Sequence, residues 1–254
     1  MLKGPYGGLE KDKPLLRLPF THFAVGTVLL ALTGLLACLA FSLLYHFEDS
    51  TYTHCRVPNY LPSISASISL VPERYIWRCC IGLHSAPRYL VAIAYFSFYR
   101  GRFARRRLEL LFSGLALLCS LAENTGLLLL TYVASTETYS LHKNGFIVFI
   151  ASSQLHMLIT CGLWHVIKRR CVHPEEVTSY IWKLRLFMFN ISCCIAAAYF
   201  FTRHNKYCEP GIYTLFALCE YMVVLSNMAF HMTAFWDFGS KEVMVATRPE
   251  DKRY

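Results

Sequence analysis

Charge is scarce in this sequence. Only 16% of its 254 residues are Asp, Glu, Lys or Arg, while 55% are hydrophobic, a balance outside the range of soluble globular domains that calls for lipid as solvent. Acidic residues are scarcer still, 16 against 25 Lys and Arg, giving a net charge of +9. In a soluble chain that excess would suggest a nucleic-acid partner; here its placement along the chain assigns it to membrane topology, and no nucleic acid is expected. Internal repeats and low-complexity tracts are absent, which removes solenoid and linker readings. No Cys-x-x-Cys or His-x-x-x-His pair offers metal-ligand spacing, so neither metal nor cofactor is expected. The Gly-x-Ser-x-Gly elbow of hydrolases is missing. So is a His followed by Asp at acyltransferase spacing, since His231 and Asp237 are one residue too far apart. An enzyme built on this chain would use an unconventional site.

Long apolar runs are what the sequence does have. A bilayer core of about 30 Å takes roughly 20 apolar residues to cross as a helix. Six runs of that kind cover 22–45, 76–99, 108–131, 145–166, 180–202 and 212–236. The first has too long an apolar core for a signal peptide and no small-residue cleavage site after Tyr45, so it reads as a retained anchor. The longest connector runs only from His46 to Tyr75. These features predict an all-α, polytopic membrane bundle of six transmembrane helices, a single transmembrane domain over 1–254.

Positively charged loops stay on the cytoplasmic side. Lys3, Lys11, Lys13 and Arg17, then Arg100, Arg102, Arg105, Arg106 and Arg107, then Lys168, Arg169 and Arg170, then Lys241, Arg248, Lys252 and Arg253 fall on one side of the six runs. The other side holds Arg56, Arg74, Arg78, Lys143, Arg203 and Lys206. Both termini are therefore expected in the cytosol. Of the 11 cysteines, most fall within or beside the spans and act as small apolar packers. Cys171 is expected to be cytosolic and reduced. Cys55 and Cys208 fall in the first and last lumenal loops, where an oxidising compartment would allow a disulfide between them. The sequon Asn190-Ile191-Ser192 lies mid-span, out of reach of a glycosyltransferase.

Polar residues inside the spans are costly in hydrocarbon and normally face a partner or a cavity. In the second span His84 and Arg88 are four apart and share a face, with Pro87 loosening the helix between them. Arg88 reads as the one Lys or Arg deep within a span. The third span lines up Ser113, Ser120, Asn124 and Thr131, flanked by Glu123. The fourth carries His156 between Ser152 and Thr160, and the sixth sets Glu220, Asn227 and His231 on one face. At about 1.5 Å of rise per residue, His84, Glu123 and Glu220 fall on the lumenal side of the midplane, Arg88 and His156 near it, and His231 toward the cytosol. A cavity opening toward the lumenal leaflet would gather them. The residue types suit a phospholipid-like ligand: Arg88 for a phosphate, His84 or His156 as a base, and Glu123 or Glu220 to orient it. A purely structural role is the competing reading, in which Glu123 or Glu220 neutralises Arg88 and the Ser, Thr and Asn side chains glue helices together.

Several segments carry a resemblance: Leu15-Leu16-Arg17-Leu18-Pro19-Phe20, Pro58 to Ile68 (Pro-Asn-Tyr-Leu-Pro-Ser-Ile-Ser-Ala-Ser-Ile), His84-Ser85-Ala86-Pro87-Arg88, Ala122-Glu123-Asn124, and Glu220-Tyr221-Met222 with 227–231. With these the whole chain resembles the post-GPI-attachment factors of the six-span Frag/DRAM/Sfk membrane family. Such relatives often have Pro-Tyr-Ile-Ser-Asp in the first lumenal loop. Here Pro62-Ser63-Ile64-Ser65-Ala66 lacks the acidic residue, so no role of that Asp transfers. The resemblance implies a multi-pass Golgi membrane protein that serves lipid remodelling of GPI anchors, where a lyso-GPI intermediate is reacylated at sn-2 with a saturated, stearoyl chain. Its partners would be the lyso-GPI moiety of GPI-anchored proteins and membrane lipids, with an acyl donor that the sequence does not name. Two hypotheses follow: an acyltransferase, or a non-catalytic lipid-binding scaffold that presents lyso-GPI to a separate enzyme.

Overall fold

The computed structural model describes residues 16–169, 174–239 and 241–245. Lys3, Lys11, Lys13, Arg170, Cys171, Arg248, Lys252 and Arg253 lie outside the described residues. The apolar runs become long helices: α1 (Phe20–Tyr45), α4 (Glu73–Arg102), α5 (Arg107–Tyr132), α6 (Tyr139–Lys168), α7 (Pro174–Tyr207) and α8 (Ile212–Met232). Most outrun the apolar stretch that announced them. Helical hydrogen bonds close within the segment wherever water or headgroups begin, so nothing stops the backbone at the edge of the hydrocarbon. Short helices α2 (Phe47–Thr51) and α3 (Ile64–Ser67) follow α1, and α9 (Ala234–Asp237) follows α8. Five segments are long and apolar enough to cross a membrane: α1, α5, α6, α7 and the stretch Ile212–Asp237 that contains α8 and α9. The fold is thus an all-α, multi-pass membrane architecture. At 30 residues α4 is long enough to cross, but Glu73, Arg74, Arg78, Arg88, Arg100 and Arg102 lower its apolarity.

Each long helix packs on the next in sequence, and α8 returns to α1, which closes the bundle into a ring. Backbones approach closely along the α5–α6 seam: a Cβ on Gly126 would stand 2.7 Å from the Phe149 nitrogen, and one on Gly145 2.9 Å from the Leu130 nitrogen. Small residues allow such close backbone approach, on which helix association in lipid depends. At one end of the ring, Ala31, Leu35, Ile64, Trp77, Ile81 and Ala217 form an apolar cluster that joins α1, α3, α4 and α8.

No alternating pattern announces a strand, yet β1 (Leu16–Pro19) pairs antiparallel with β2 (Glu242–Val245), Leu16 opposite Val245 and Pro19 opposite Glu242. This ribbon ties the start of α1 to the segment after α9. Beside it, Asp237 fastens three helices: Lys183 Nζ lies 2.6 Å from Oδ2, Tyr95 donates to Oδ2 at 2.6 Å and Ser179 donates to Oδ1 at 2.5 Å. Lys183 is 1% exposed, with its ammonium 4.3 Å from the Trp164 ring centroid. Arg88 is therefore not the one buried basic side chain, although Lys183 lies near one end of its run and not deep within it. Lys183 is inconspicuous in the sequence because it falls near the start of its apolar run, where Lys and Arg ordinarily snorkel to water.

At the opposite end, the segment after α2 folds inward across the ring and carries α3. Ile64 N–H donates to Glu220 Oε2 at 2.8 Å, Tyr221 donates to the Pro62 carbonyl, and Tyr60 N–H donates to Thr214 Oγ1 at 2.9 Å. The Gly211 N–H donates to the Pro58 carbonyl at 3.0 Å. Cys55 and Cys208 form a disulfide with Cα atoms 5.3 Å apart. It joins the α2–α3 connector to the α7–α8 turn.

Candidate functional site

A cavity of about 790 Å³ fills the ring beneath α3. Its walls are mostly apolar, with Trp77, Ile81, Leu127, Phe146, Ile150 and Phe216 among the lining residues, and it runs from the loop residues Ser135 and Thr136 to Arg88, Glu123 and His231. Of the residues singled out by sequence, His84, Arg88, Glu123, Asn124, Glu220, Asn227 and His231 line it. His156 does not; it lines a smaller void of about 20 Å³ shared with Arg88, Tyr95, Tyr99 and His231 on the side of the β ribbon.

The floor of the cavity is one connected polar cluster. Arg88 Nη2 lies 2.9 Å from Glu123 Oε1 and 2.6 Å from His231 Nε2. Glu123 Oε1 also receives Asn227 Nδ2 at 3.1 Å, and His231 Nε2 approaches it to 3.0 Å. His156 stacks on His231 with ring centroids 5.4 Å apart, and its Nδ1 stands 3.6 Å from Glu123 Oε2. Those last two atoms are buried without a hydrogen-bond partner among the described residues. Asn227 Nδ2 donates further to Ser153 Oγ at 2.7 Å, and Asn124 Nδ2 to the Ser85 carbonyl at 3.0 Å. The cluster draws on α4, α5, α6 and α8, each contributing a residue that its apolar run made conspicuous.

Two expectations change. Of the candidate acidic partners for Arg88, Glu123 takes the role, while Glu220 holds the Ile64 N–H of the α3 segment. His231, placed toward the cytosol by counting residues, belongs to the cluster because rise per residue measures height along one helix and ignores how neighbouring helices are offset. His84 stands apart from the cluster: its Nδ1–H donates to the Thr27 carbonyl at 2.7 Å, which leaves Nε2 as the basic nitrogen. Both hydrogen bonds of Arg88 use Nη2, so Nη1 and Nε have no hydrogen-bond partner among the described residues.

Donor atoms of Glu123, His156 and His231 all lie within 4.8 Å of one another, close enough to hold a metal ion. A guanidinium nitrogen already sits against two of those donors, however, and supplies the positive charge that a divalent cation would bring. A metal there would face an adjacent like charge. His54, Cys55 and Cys208 make a second such group, but both sulfurs are committed to the disulfide. Near the mouth, Glu137 accepts the Ala134 N–H at 2.9 Å and pairs with Arg78 at 3.1 Å. That backbone N–H, then the Arg78 guanidinium, holds the carboxyl below the ordinary glutamate range.

Sequence reasoning missed one further pair. Ser65 Oγ and His142 Nε2 lie 2.9 Å apart, and both line the cavity. They are separated by 77 residues, and each sits outside the apolar runs of the sequence in which buried polar groups stand out. The sequon residue Asn190 is fully buried and donates to the Val223 carbonyl and Ser226 Oγ, at 2.7 and 2.8 Å. It acts as a helix–helix hydrogen bond.

A ring of long helices, five of them able to cross a membrane, around an apolar chamber with a basic and acidic floor defines a class: a multi-pass membrane protein with a buried polar site between its helices. The chain matches the Frag1/DRAM/Sfk1/Cwh43P N-terminal domain over residues 19–241, and it belongs to that family. It is 64% identical over 212 residues to the zebrafish (Danio rerio) protein named acyltransferase PGAP2, covering 84% of this chain and 92% of that one. To the Xenopus tropicalis protein of the same name it is 50% identical over 250 residues, 98% and 99% of the two chains. The Drosophila melanogaster post-GPI attachment to proteins factor 2 is 42% identical over 231 residues, 91% of this chain and 90% of that one. No solved structure matches the chain.

Proposed function

We propose that this protein acts in GPI-anchor lipid remodelling in the Golgi membrane, transferring a saturated, stearoyl chain to the sn-2 hydroxyl of lyso-GPI. The observation that carries this reading is Arg88: a guanidinium 7% exposed, at the floor of an apolar chamber, with two nitrogens left for a ligand. An anionic phosphate with hydrocarbon tails meets both demands, since a guanidinium recognises phosphate through charge-assisted hydrogen bonds and the walls take the chains. The names of the zebrafish and Xenopus relatives, and of the fly protein, support the reaction class and the substrate. In this scheme Arg88 holds the inositol phosphate, while Glu123, Asn227 and His231 fix its position. His84, with its tautomer set by Thr27, or His156 takes the hydroxyl proton. His84 is the better placed of the two, because it lines the chamber.

Six membrane crossings with both ends in the cytosol accompany this proposal. Pairing of β1 with β2 supports the even count, because a strand before the first long helix and one after the last can meet only if both lie on one side. The disulfide at the opposite end suits an oxidising lumen. The α3 mouth then faces the lumenal leaflet, where the lipid of a GPI-anchored protein resides.

A scaffold that binds lyso-GPI without chemistry would need the chamber and Arg88 but no base. Purified protein supplied with lyso-GPI and an acyl donor separates the two: the acyltransferase forms diacyl product in proportion to protein, whereas a scaffold binds lyso-GPI with no turnover.

A further inference from the structure

The structure assigns a second reactive centre to the mouth of the chamber: we propose that Ser65 and His142 form a nucleophilic dyad that takes a fatty acyl group onto Ser65 before passing it to the lipid hydroxyl. This inference rests on the acyl-transfer reading above and supplies the step that reading lacks, the handling of the acyl donor. Its geometry meets the requirements for an activated serine, namely a nucleophile and base in hydrogen-bond reach with the base held by a third group. His142 Nδ1 lies 2.8 Å from the Val133 carbonyl. A carbonyl can only accept, so Nδ1 carries the proton and Nε2 presents its lone pair to the Ser65 hydroxyl at 2.9 Å. His142 is buried while Ser65 keeps partial exposure, as a nucleophile that must meet a substrate requires. Both line the same chamber as Arg88.

The segment bearing Ser65 is held on several sides. Glu220 and Tyr221 hold Ile64 and Pro62, and Ser63 Oγ accepts the Ala66 N–H at 3.2 Å. That rigidity is what a positioned nucleophile needs. A clamp between α3 and α6 would use the same hydrogen bond but would need neither the fixed tautomer nor an opening to an apolar chamber.

The donor is a fatty acyl carbonyl with an oxygen or sulfur leaving group: a phospholipid ester or an acyl thioester. Ser65 Oγ gives its proton to His142 Nε2 and bonds to the acyl carbon. The carbon–oxygen or carbon–sulfur bond to the donor breaks, and the proton on Nε2 passes to the departing alkoxide or thiolate. In the second half the lipid hydroxyl gives its proton to Nε2, so that His142 takes the place of His84 and His156 as the base of the scheme above, and attacks the Ser65 ester. The ester bond to Oγ breaks, and Oγ recovers the proton. No electrons are exchanged with any other species.

The test uses the full chain, purified and reconstituted, given labelled stearoyl-phosphatidylcholine in one arm and labelled stearoyl-CoA in the other, without lyso-GPI. Peptide mass spectrometry is expected to place a stearoyl ester on Ser65 in the arm holding the true donor, and added lyso-GPI is expected to discharge it. His142→Ala should slow labelling by about 10²- to 10⁴-fold, the usual contribution of a general base. Ser65→Cys should carry the chain as a thioester that neutral hydroxylamine releases, a signature no structural clamp would give. Transfer to lyso-GPI at the wild-type rate in Ser65→Ala, or no acyl group on Ser65 in either arm, overturns the dyad. An acyl-Ser65 that forms and is never discharged by lyso-GPI keeps the dyad and overturns the remodelling reading instead.

Discussion

Replacing Arg88 and Glu123 together separates structure from function at the chamber floor. Arg88 and Glu123 are 7% and 1% exposed, with 2.9 Å between Nη2 and Oε1. Removing one partner of such a pair leaves a buried charge uncompensated and costs about 3–5 kcal/mol, whereas exchanging both for well-packed apolar side chains is near neutral. At about 1.4 kcal/mol per tenfold, Arg88→Met alone should lower the folding equilibrium constant by roughly two to three and a half orders of magnitude. Glu123→Leu alone leaves Arg88 with only His231 as a hydrogen-bond partner among the described residues and should be comparably damaging. The double variant is expected to recover much of that loss, because neither charge is then left unpaired, less about 1–3 kcal/mol for the buried His231 Nε2, which loses both partners. Activity should not recover, since the phosphate contact is gone. Reversible unfolding in detergent, read beside acyl transfer by the purified protein, measures both quantities. A double variant that is stable and fully active would refute the phosphate role and reduce the pair to helix glue.

Three further outcomes follow from the same physics. Lys183→Met should lose a comparable 3–5 kcal/mol or so by leaving Asp237 buried and unpaired, and Lys183→Met with Asp237→Leu should recover much of it, as chemical unfolding would report. Gly126→Leu should separate α5 from α6, because the Cβ alone would meet the Phe149 nitrogen at 2.7 Å; a drop in thermal stability and in the yield of monodisperse protein is the readout. Glu137, whose carboxyl is held low by the Ala134 N–H and then Arg78, contributes stability that is complete above the ordinary glutamate value of about 4.3 and is lost as pH falls through its lowered folded value. Thermal scans across acidic pH should therefore show a flatter profile for Glu137→Gln than for wild type.

Helix positions are legible in the sequence because a stretch of roughly 20 apolar residues is the length that spans a bilayer and is rarely needed in water. Arg88, Glu123, Asn227 and His231 are legible for the complementary reason: a polar group inside such a run must find a partner. What the sequence does not supply is the pairing between runs. It leaves Glu123 and Glu220 as equal candidates for Arg88, and only the packing of α4, α5 and α8 assigns Glu123 to the charge and Glu220 to the α3 backbone. The β1–β2 ribbon is hidden because its strands are short and lie at opposite ends of the chain. Ser65 and His142 are hidden by different circumstances. Each falls in a polar stretch where serine and histidine are unremarkable, and the inward fold of the α3 segment brings them together. Lys183 and Asp237 are inconspicuous because each sits near the end of a run, where charge is ordinary.

One reconstitution tests the acyl-transfer role of the chamber most directly. Purified protein in vesicles, supplied with lyso-GPI and the labelled stearoyl donors in separate arms, is predicted to form sn-2 stearoyl product at a rate proportional to protein, and the stable Arg88→Met, Glu123→Leu double variant is predicted to form none. Saturable binding of lyso-GPI by the wild-type protein with no transfer from either donor would contradict it.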